Sequence, residues 1–461
     1  MRTAFVVSTP SAAALRALNY NADVETLRRR HPGRTQALGA LTRAIGGSFG
    51  MVFTRVDCET SYGTMLLTQA DTFASEPSGR IVRFDCLPDR SKQIVKKWQI
   101  LIAGAGQMGE GNLFGRSIIA DGRLEGMCTG PDTLALAFDN PGSSDNLWVY
   151  AFLNTRLGLA AVRACAYGTS IPRLRPDLLA ELPVPMASDG VRGQVARLVQ
   201  QCVSRREDYI RYIGMARRVL EDMPEMREAH AMCGQRRGRH VVRDDELPTM
   251  VAWTFASAGE ALRYLRKQWA SRLHDYLEMG GLFTGPRFAR IPCSAPAGVD
   301  LLSQRDVFMI RRMPRRVALP KFDPERLFAQ ESHLLIACDG QFTEGSLFGR
   351  VEDASAGLTS QAITQHILRL VPIRGTKSWL YAFLSTPVGY RLLQSTAVGT
   401  SVPMMRHDLV ADLPVPPVDP ELVKVVDSHV EDAMRARREA DAAESEAIRI
   451  IEEEVLPAWL A

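Results

Sequence analysis

Gly106-Gln107-Met108-Gly109-Glu110-Gly111-Asn112-Leu113-Phe114-Gly115-Arg116 decides the fold, because it returns as Gly340-Gln341-Phe342-Thr343-Glu344-Gly345-Ser346-Leu347-Phe348-Gly349-Arg350, a step of 234 residues. Upstream, Leu66-Leu67-Thr68-Gln69 pairs with Leu301-Leu302-Ser303-Gln304 at a step of 235. Downstream, Tyr150-Ala151-Phe152-Leu153 returns as Tyr381-Ala382-Phe383-Leu384 at a step of 231. Gly168-Thr169-Ser170-Ile171-Pro172 likewise returns as Gly399-Thr400-Ser401-Val402-Pro403, and Leu182-Pro183-Val184-Pro185 as Leu413-Pro414-Val415-Pro416. Ordered blocks at a nearly constant step mark a tandem duplication of a domain-sized unit. A period this long makes two similar domains rather than a solenoid.

The bulk composition fits two cores. Of 461 residues, 46% are hydrophobic and 23% charged, ordinary globular values. The eight cysteines form no CxxC pair or Cys/His cluster at zinc spacing, and the repeat matches none of them with another. They read as thiols in a reducing compartment. No apolar run approaches the roughly 18 residues that span a bilayer. Met1-Arg2-Thr3-Ala4-Phe5-Val6-Val7 turns polar too soon for a signal peptide, so the chain is expected to be cytoplasmic. Net charge is unevenly placed: +4 over 189–240, −7 over 418–461 and +7 over the rest. A polyanion could use the basic globular parts, although charge alone does not establish nucleic-acid binding.

Each unit closes on a helical stretch. Val195, Leu198, Cys202, Arg205, Tyr209, Tyr212, Ala216, Val219 and Met223 alternate steps of three and four, a heptad seam broken only by Arg205, before Pro224 ends or kinks it. Val423, Val426, Val430 and Ala433 open a second seam that turns Ala-rich and continues through Ile448, Ile451 and Val455 to a stop at Pro457. The first helix is basic and the second acidic, so their flanks favour pairing. Met51–Val56, Gln99–Ala103 and Leu334–Ala337 have strand composition, and Trp148–Ala166 and Trp379–Thr396 read as short amphipathic helices. Leu15-Arg16-Ala17-Leu18 and Leu262-Arg263-Tyr264-Leu265 suggest a helix opening each unit, and Gly234–Arg239 a linker. The expected divisions are 1–188, 189–235, 236–417 and 418–461.

Catalytic signatures are wanting. Gly104-Ala105-Gly106-Gln107-Met108-Gly109 follows a strand as a dinucleotide loop does, but no helical apolar period follows it. Its repeat partner, Cys338-Asp339-Gly340-Gln341-Phe342-Thr343, keeps only the middle glycine. There is no GxxxxGK[ST], HExxH or GxSxG, and no histidine recurs between the units. The residues read as a non-catalytic binder.

The ordered blocks resemble the specificity subunit of type I restriction-modification systems. A Gly-Gly turn (Gly46-Gly47; Gly280-Gly281) precedes the strand-turn of Trp98–Gly111 and His333–Gly345. The Tyr-Ala-Phe-Leu helix, the Gly-Thr-Ser turn and Leu-Pro-Val-Pro follow in both copies. The family's Pro-Pro-Leu-x-Glu-Gln is reduced to Met186–Ser188 and Pro417–Pro420. The resemblance covers nearly the whole chain. It implies a mixed α/β (α+β) fold: two tandem target-recognition domains, each followed by a long helix, the helices pairing as an antiparallel coiled coil. It further implies binding to a bipartite double-stranded DNA site across a helical spacer of roughly 50 Å. Methyltransferase subunits would carry S-adenosylmethionine and flip out the target base, with a restriction/translocase subunit as a further partner. On that view this chain is no enzyme and holds no cofactor or metal.

The repeat then sorts residues. Positions identical in both copies (Arg116/Arg350, Gln107/Gln341, Thr169/Thr400, Arg175/Arg406) cannot tell two half-sites apart and are expected to serve as frame, phosphate or partner contacts. Base readers should lie where the copies diverge and donors are dense. In unit one these are Arg80, Arg83, Arg90, Lys92, Lys96 and Lys97, or Arg123; in unit two, Arg311, Arg312, Arg315, Arg316 and Lys321. The competing class is a duplicated protein-interaction scaffold with no DNA role, whose binding would not weaken steeply with salt.

Overall fold

The computed structural model describes residues 23–26, 35–109, 111–168, 170–233, 255, 258–319, 325–341, 345–399 and 401–460. Leu15–Leu18, the Gly234–Arg239 linker, Thr169, Thr400 and Lys321 lie outside them. The chain divides into two compact units, 1–207 with 439–461 and 208–438.

In the first unit a four-stranded antiparallel sheet runs Ala44–Gly46, Thr133–Ala137, Ile100–Ala103, Ser117–Ile119. A smaller sheet sets Gly63–Leu67 between antiparallel Arg80–Arg83 and parallel Cys128–Thr129. The second unit repeats both. Its larger sheet runs Leu277–Thr284, Ile367–Pro372, Leu334–Ala337, Val351–Asp353. Its smaller sheet sets Val299–Leu302 between Arg315–Val317 and Ala362–Ile363. Ile100–Ala103 and Leu334–Ala337 are buried throughout, as continuous apolar runs in central strands should be.

Helical hairpins cover the larger sheets. Ser144–Leu153 turns into Arg156–Ala164, and Lys377–Ser385 into Pro387–Ser395. The Thr155 and Thr386 hydroxyls cap the second helices, accepting from the N–H of Gly158 (2.9 Å) and Gly389 (3.0 Å). A Cβ at those glycines would meet the carbonyl oxygens of Phe152 and Phe383 at 2.0 and 2.2 Å, so neither tolerates a side chain. The Trp148 and Trp379 indoles donate to the carbonyls of Pro185 (2.8 Å) and Pro416 (3.2 Å), which joins hairpin to Leu-Pro-Val-Pro in both copies.

The long helices form as expected, over Asp189–Glu221 and Pro420–Arg449, and lie against each other in opposite directions. In the first unit Arg205 reaches Glu439 at 2.8 Å, and the earlier Cys202 packs with Ala440 and Ala443. In the second, Tyr209, Ile213, Ala216 and Leu220 share one core with Val423, Val426, Val430 and Ala433.

Several expectations need correction. The buried seam of the first helix is Val195, Val199, Cys202, Arg206, Tyr209, Ile213, Ala216, Leu220, so its second phase sits one residue beyond the line through Leu198, Arg205, Tyr212 and Val219. The charge inside it is Arg206, wholly buried, because Glu444 on the other helix neutralises it at 2.8 Å. Met51–Val56 forms no strand: apart from the Arg83 N–H to Val56 carbonyl bond, its backbone finds no ladder there, and Val52 is 84% exposed. Ser144–Leu153 is not amphipathic, since Asn146–Leu153 are all buried. Pro457 does not end the last helix. A π-turn over Ile450–Val455 precedes it, and the wider register accommodates a proline at the start of Leu456–Leu460.

One cysteine pair does recur. Cys58 and Cys293 stand 235 apart, each with its sulfur against the place a Cβ would occupy on Gly63 or Gly298 (2.5 and 2.4 Å). They belong to a further repeat block in which Phe53, Arg55 and Val56 match Phe288, Arg290 and Ile291.

Candidate nucleic-acid interface

Each unit carries the same backbone frame at one end of its larger sheet. Gly106 donates its N–H to the Pro172 carbonyl and Gly340 to that of Pro403, both at 3.1 Å. The φ values of +139° and +133° at these glycines are ones that side-chain-bearing residues avoid. Leu174 and Met405 then donate to the carbonyls of Gly104 and Cys338, both at 2.9 Å. The loop after the central strand is thereby tied to the Gly-Thr-Ser turn. No helix opens within the described part of 104–116, so the pyrophosphate site of a dinucleotide fold is not built. Gln107 and Gln341 are exposed on this loop, and Ile171 and Val402 on the turn are 66% and 63% exposed.

The shared arginines are held within their own units. Arg175 forks onto Asp177 and Arg406 onto Asp408, at 2.7 Å for both bonds of the latter pair. The guanidinium hydrogen bond holds each carboxyl below the usual carboxylate range. Arg116 donates to the Asn112 carbonyl (3.2 Å), and Arg350 lies over the Tyr390 ring at 5.0 Å. The Arg175, Arg406 and Arg116 contacts are local, and that of Arg350 joins its loop to the Pro387–Ser395 helix.

Most of the divergent cations are engaged by partners within their own unit. Lys96 is exposed, whereas Lys97 pairs with Glu207 at 2.6 Å and lies 5.3 Å over Trp98. Arg80 and Lys92 pair with Asp57 (2.6 Å) and Asp89 (3.1 Å), Arg83 pairs with Asp85, and Arg90 stacks 5.1 Å over Phe84. Arg123 is a correction: it is buried, paired with Asp121 at 2.9 Å and bonded to the carbonyls of Ala74 and Ser75. Nothing outside the unit can reach it. In the second unit Arg312 donates to the Ala356 carbonyl (2.7 Å) and Arg316 pairs with Asp300 (3.0 Å). Arg311 is half-buried and Arg315 exposed.

Two polar clusters lie outside every residue singled out from sequence. In the first unit Arg173 pairs with Asp132 at 2.6 Å and lies 5.5 Å over the Phe49 ring. In the second, Arg290 donates to Gln365 Oε1 (3.1 Å), Gln365 Nε2 meets His366 Nε2 (3.0 Å), and His366 Nδ1 meets Asp339. The Phe-x-Arg-Val/Ile-x-Cys block around Arg55 and Arg290 was the available sequence signal. No group of His, Cys, Asp and Glu suited to a metal occurs among the described residues.

No protein-family model matches the chain, and no curated protein does. Solved structures are similar at low identity. The type I restriction-modification S subunit from M. genitalium is 14% identical, with 92% of this chain and 95% of that one covered and a TM-score of 0.29. The HsdS subunit from Thermoanaerobacter tengcongensis is 13% identical, with 93% and 96% covered and a TM-score of 0.27. A chain from a structure on complex assembly and conformational transition of the type I R-M system is 14% identical, with 93% and 97% covered and a TM-score of 0.26. At such scores whole chains do not superpose, and the fold stands on the elements described above.

Proposed function

We propose that this chain is a non-catalytic specificity subunit: it reads a split double-stranded DNA site, one half per unit, and directs methyltransferase subunits to it. The carrying observation is that two units share one hydrogen-bonded frame, down to the Gly106/Gly340 and Trp148/Trp379 bonds, yet present different polar side chains upon it. One frame with two surfaces suits a target made of two unlike halves, and the motifs shared with type I specificity subunits support the same reading. Phosphate contacts would set the register and divergent side chains would read base edges. S-adenosylmethionine would belong to the methyltransferase partner, and a restriction or translocase subunit would be a third component. Among the described residues no helix is long and apolar enough to cross a membrane; a cytoplasmic location fits the DNA target.

The test is co-expression with the methyltransferase, followed by modification mapping of the host genome and binding measured against salt. The expected result is methylation at one split motif, and affinity falling about 10³-fold between 50 and 200 mM salt. Replacing 236–417 with the matching segment of a relative should change one half of the motif only. A protein-interaction scaffold would show neither methylation nor salt-sensitive binding.

A further inference from the structure

A spot on the shared frame, distinct in sequence from the basic run at 311–316, combines a constant backbone with polar side chains that differ between the units. The backbone bridges Ala105↔Arg173 and Asp339↔Met404 are equivalent, so the two polar clusters occupy the same place on the shared frame. The side chains there differ at nearly every matched position. Asp132, Pro131, Ala105 and Arg173 of the first unit stand where the second has His366, Gln365, Asp339 and Met404. Around them the frame is constant: Gly106/Gly340, Pro172/Pro403, and Arg55/Arg290 at the loop edge. A half-site reader needs this combination, namely variable donors and acceptors on a fixed backbone.

We propose that Asp339-His366-Gln365-Arg290 in the second unit, and Arg173-Asp132 stacked on Phe49 in the first, are the side chains that discriminate bases in their respective half-sites. The assignment rests on the specificity-subunit reading and deepens it. The second cluster is preorganised along its length. If His366 donates from Nδ1 to Asp339, its Nε2 accepts from the Gln365 amide, whose oxygen accepts from Arg290. That order fixes the amide orientation and leaves Gln365 one N–H, and the exposed Arg290 guanidinium further donors, for an acceptor outside. Amide and guanidinium groups are the ones that pair bidentately with adenine and guanine in the major groove. In the first unit, Asp132 and the Phe49 ring hold the guanidinium of Arg173, a side chain 37% exposed, so a planar fork is presented in a set orientation. Arg55 and Arg290 recur in both copies and are both exposed; Arg290 is drawn into the variable cluster by Gln365, which has no counterpart beside Arg55.

The full-length chain, co-purified with its methyltransferase, is used to select bound duplexes from a randomised double-stranded library. The wild type should enrich a split motif. Gln365→Ala should lower base preference in one half by about tenfold and leave the other half intact. Arg173→Met, the residue of the second unit, should do the reverse. Arg290→Lys keeps the charge and loses the fork, so it should relax the same half as Gln365→Ala with total binding retained. Unchanged motifs in all three variants, or equal weakening of both halves with the motif preserved, overturn the assignment. A wild type with no split motif sinks the specificity-subunit reading itself, and this assignment with it.

Discussion

The two units fasten a long helix to a sheet domain with equivalent arginines and different partners. Arg206 and Arg437 stand 231 residues apart, and both are fully buried. In the first unit Arg206 pairs with one oxygen of Glu444, whose other oxygen takes the Tyr150 hydroxyl. In the second, Arg437 donates to the carbonyls of Met309 (2.8 Å) and Ile310 (2.7 Å). The matching carbonyls of the first unit, Ala74 and Ser75, are held by Arg123 instead, and Gly357 stands where Arg123 would recur. The carboxylate beside the tyrosine also changes source. Tyr381 is 3.5 Å from Glu352 on a strand, where the first unit has Ile118; Glu444 has Ile213 as its own counterpart. At Arg206/Arg437 the duplication keeps the place of the buried arginine while its partner changes; the other buried charges change place as well. Satisfaction is compulsory, because an unpaired buried charge is far costlier than a change of partner.

The comparison breaks most visibly at Glu444. Glu444→Leu leaves Arg206 buried without its carboxylate and should destabilise the full chain by about 3–5 kcal/mol in denaturant unfolding. Adding Arg206→Met removes the orphaned charge, so the double variant should recover most of that loss. A single variant costing under about 1 kcal/mol would mean that the pair is effectively solvated, since exposed pairs contribute no more than that.

A smaller effect is expected where the two copies hold one turn with different side chains. In the first unit Gln99 Oε1 accepts the Lys96 N–H (2.9 Å); in the second, His333 Nδ1 accepts the Gln330 N–H (3.2 Å). Burial, then Arg369 and Lys377, push the His333 imidazole down to about 4. A base whose folded pKa is depressed contributes fully above its unfolded pKa. That stability is lost as pH falls from about 6.5 towards 4, by up to about 3 kcal/mol. His333→Gln installs the first unit's solution and should flatten that acid limb of the unfolding midpoint while leaving neutral-pH stability nearly unchanged. An acid limb of wild-type steepness in the variant would place the titrating group elsewhere.

The frame was legible because ordered identical residues at steps of 231 to 235 mark equivalent places in the two units, and Gly106/Gly340 and Trp148/Trp379 make matching bonds there. The phase of the helix seam was not. Val195, Cys202, Tyr209 and Ala216 belong to both tracings, and what decides between Arg205 and Arg206 is Glu444, 238 residues from Arg206. Arg123 reads as a surface donor in one dimension; only the folded chain brings it to carbonyls 48 and 49 residues away. The polar clusters escaped notice for the opposite reason to the frame. Their residues come from separate segments of the chain, and every polar one except Arg290 differs between the copies.

The smallest test concerns a feature that looks the same in both units. Thr68 and Ser303 each cap a one-turn helix in a capping box, bonding Asp71 and Asp306 through the hydroxyl at 2.6 Å and the backbone N–H at 2.9 Å. Replacing either hydroxyl by alanine should cost about 0.5–2 kcal/mol. The costs should nevertheless differ, because Asp306 is 2% exposed whereas Asp71 is only partly buried. A carboxylate that loses a donor at a wet site recovers a water; one that loses it in the interior keeps the deficit. Ser303→Ala should therefore sit near the upper end of that range and Thr68→Ala near the lower, read as two shifts in the denaturant midpoint at unchanged slope. Equal shifts would show that the two boxes share their solvation as well as their geometry, and that the units diverge only at their helices and polar surfaces.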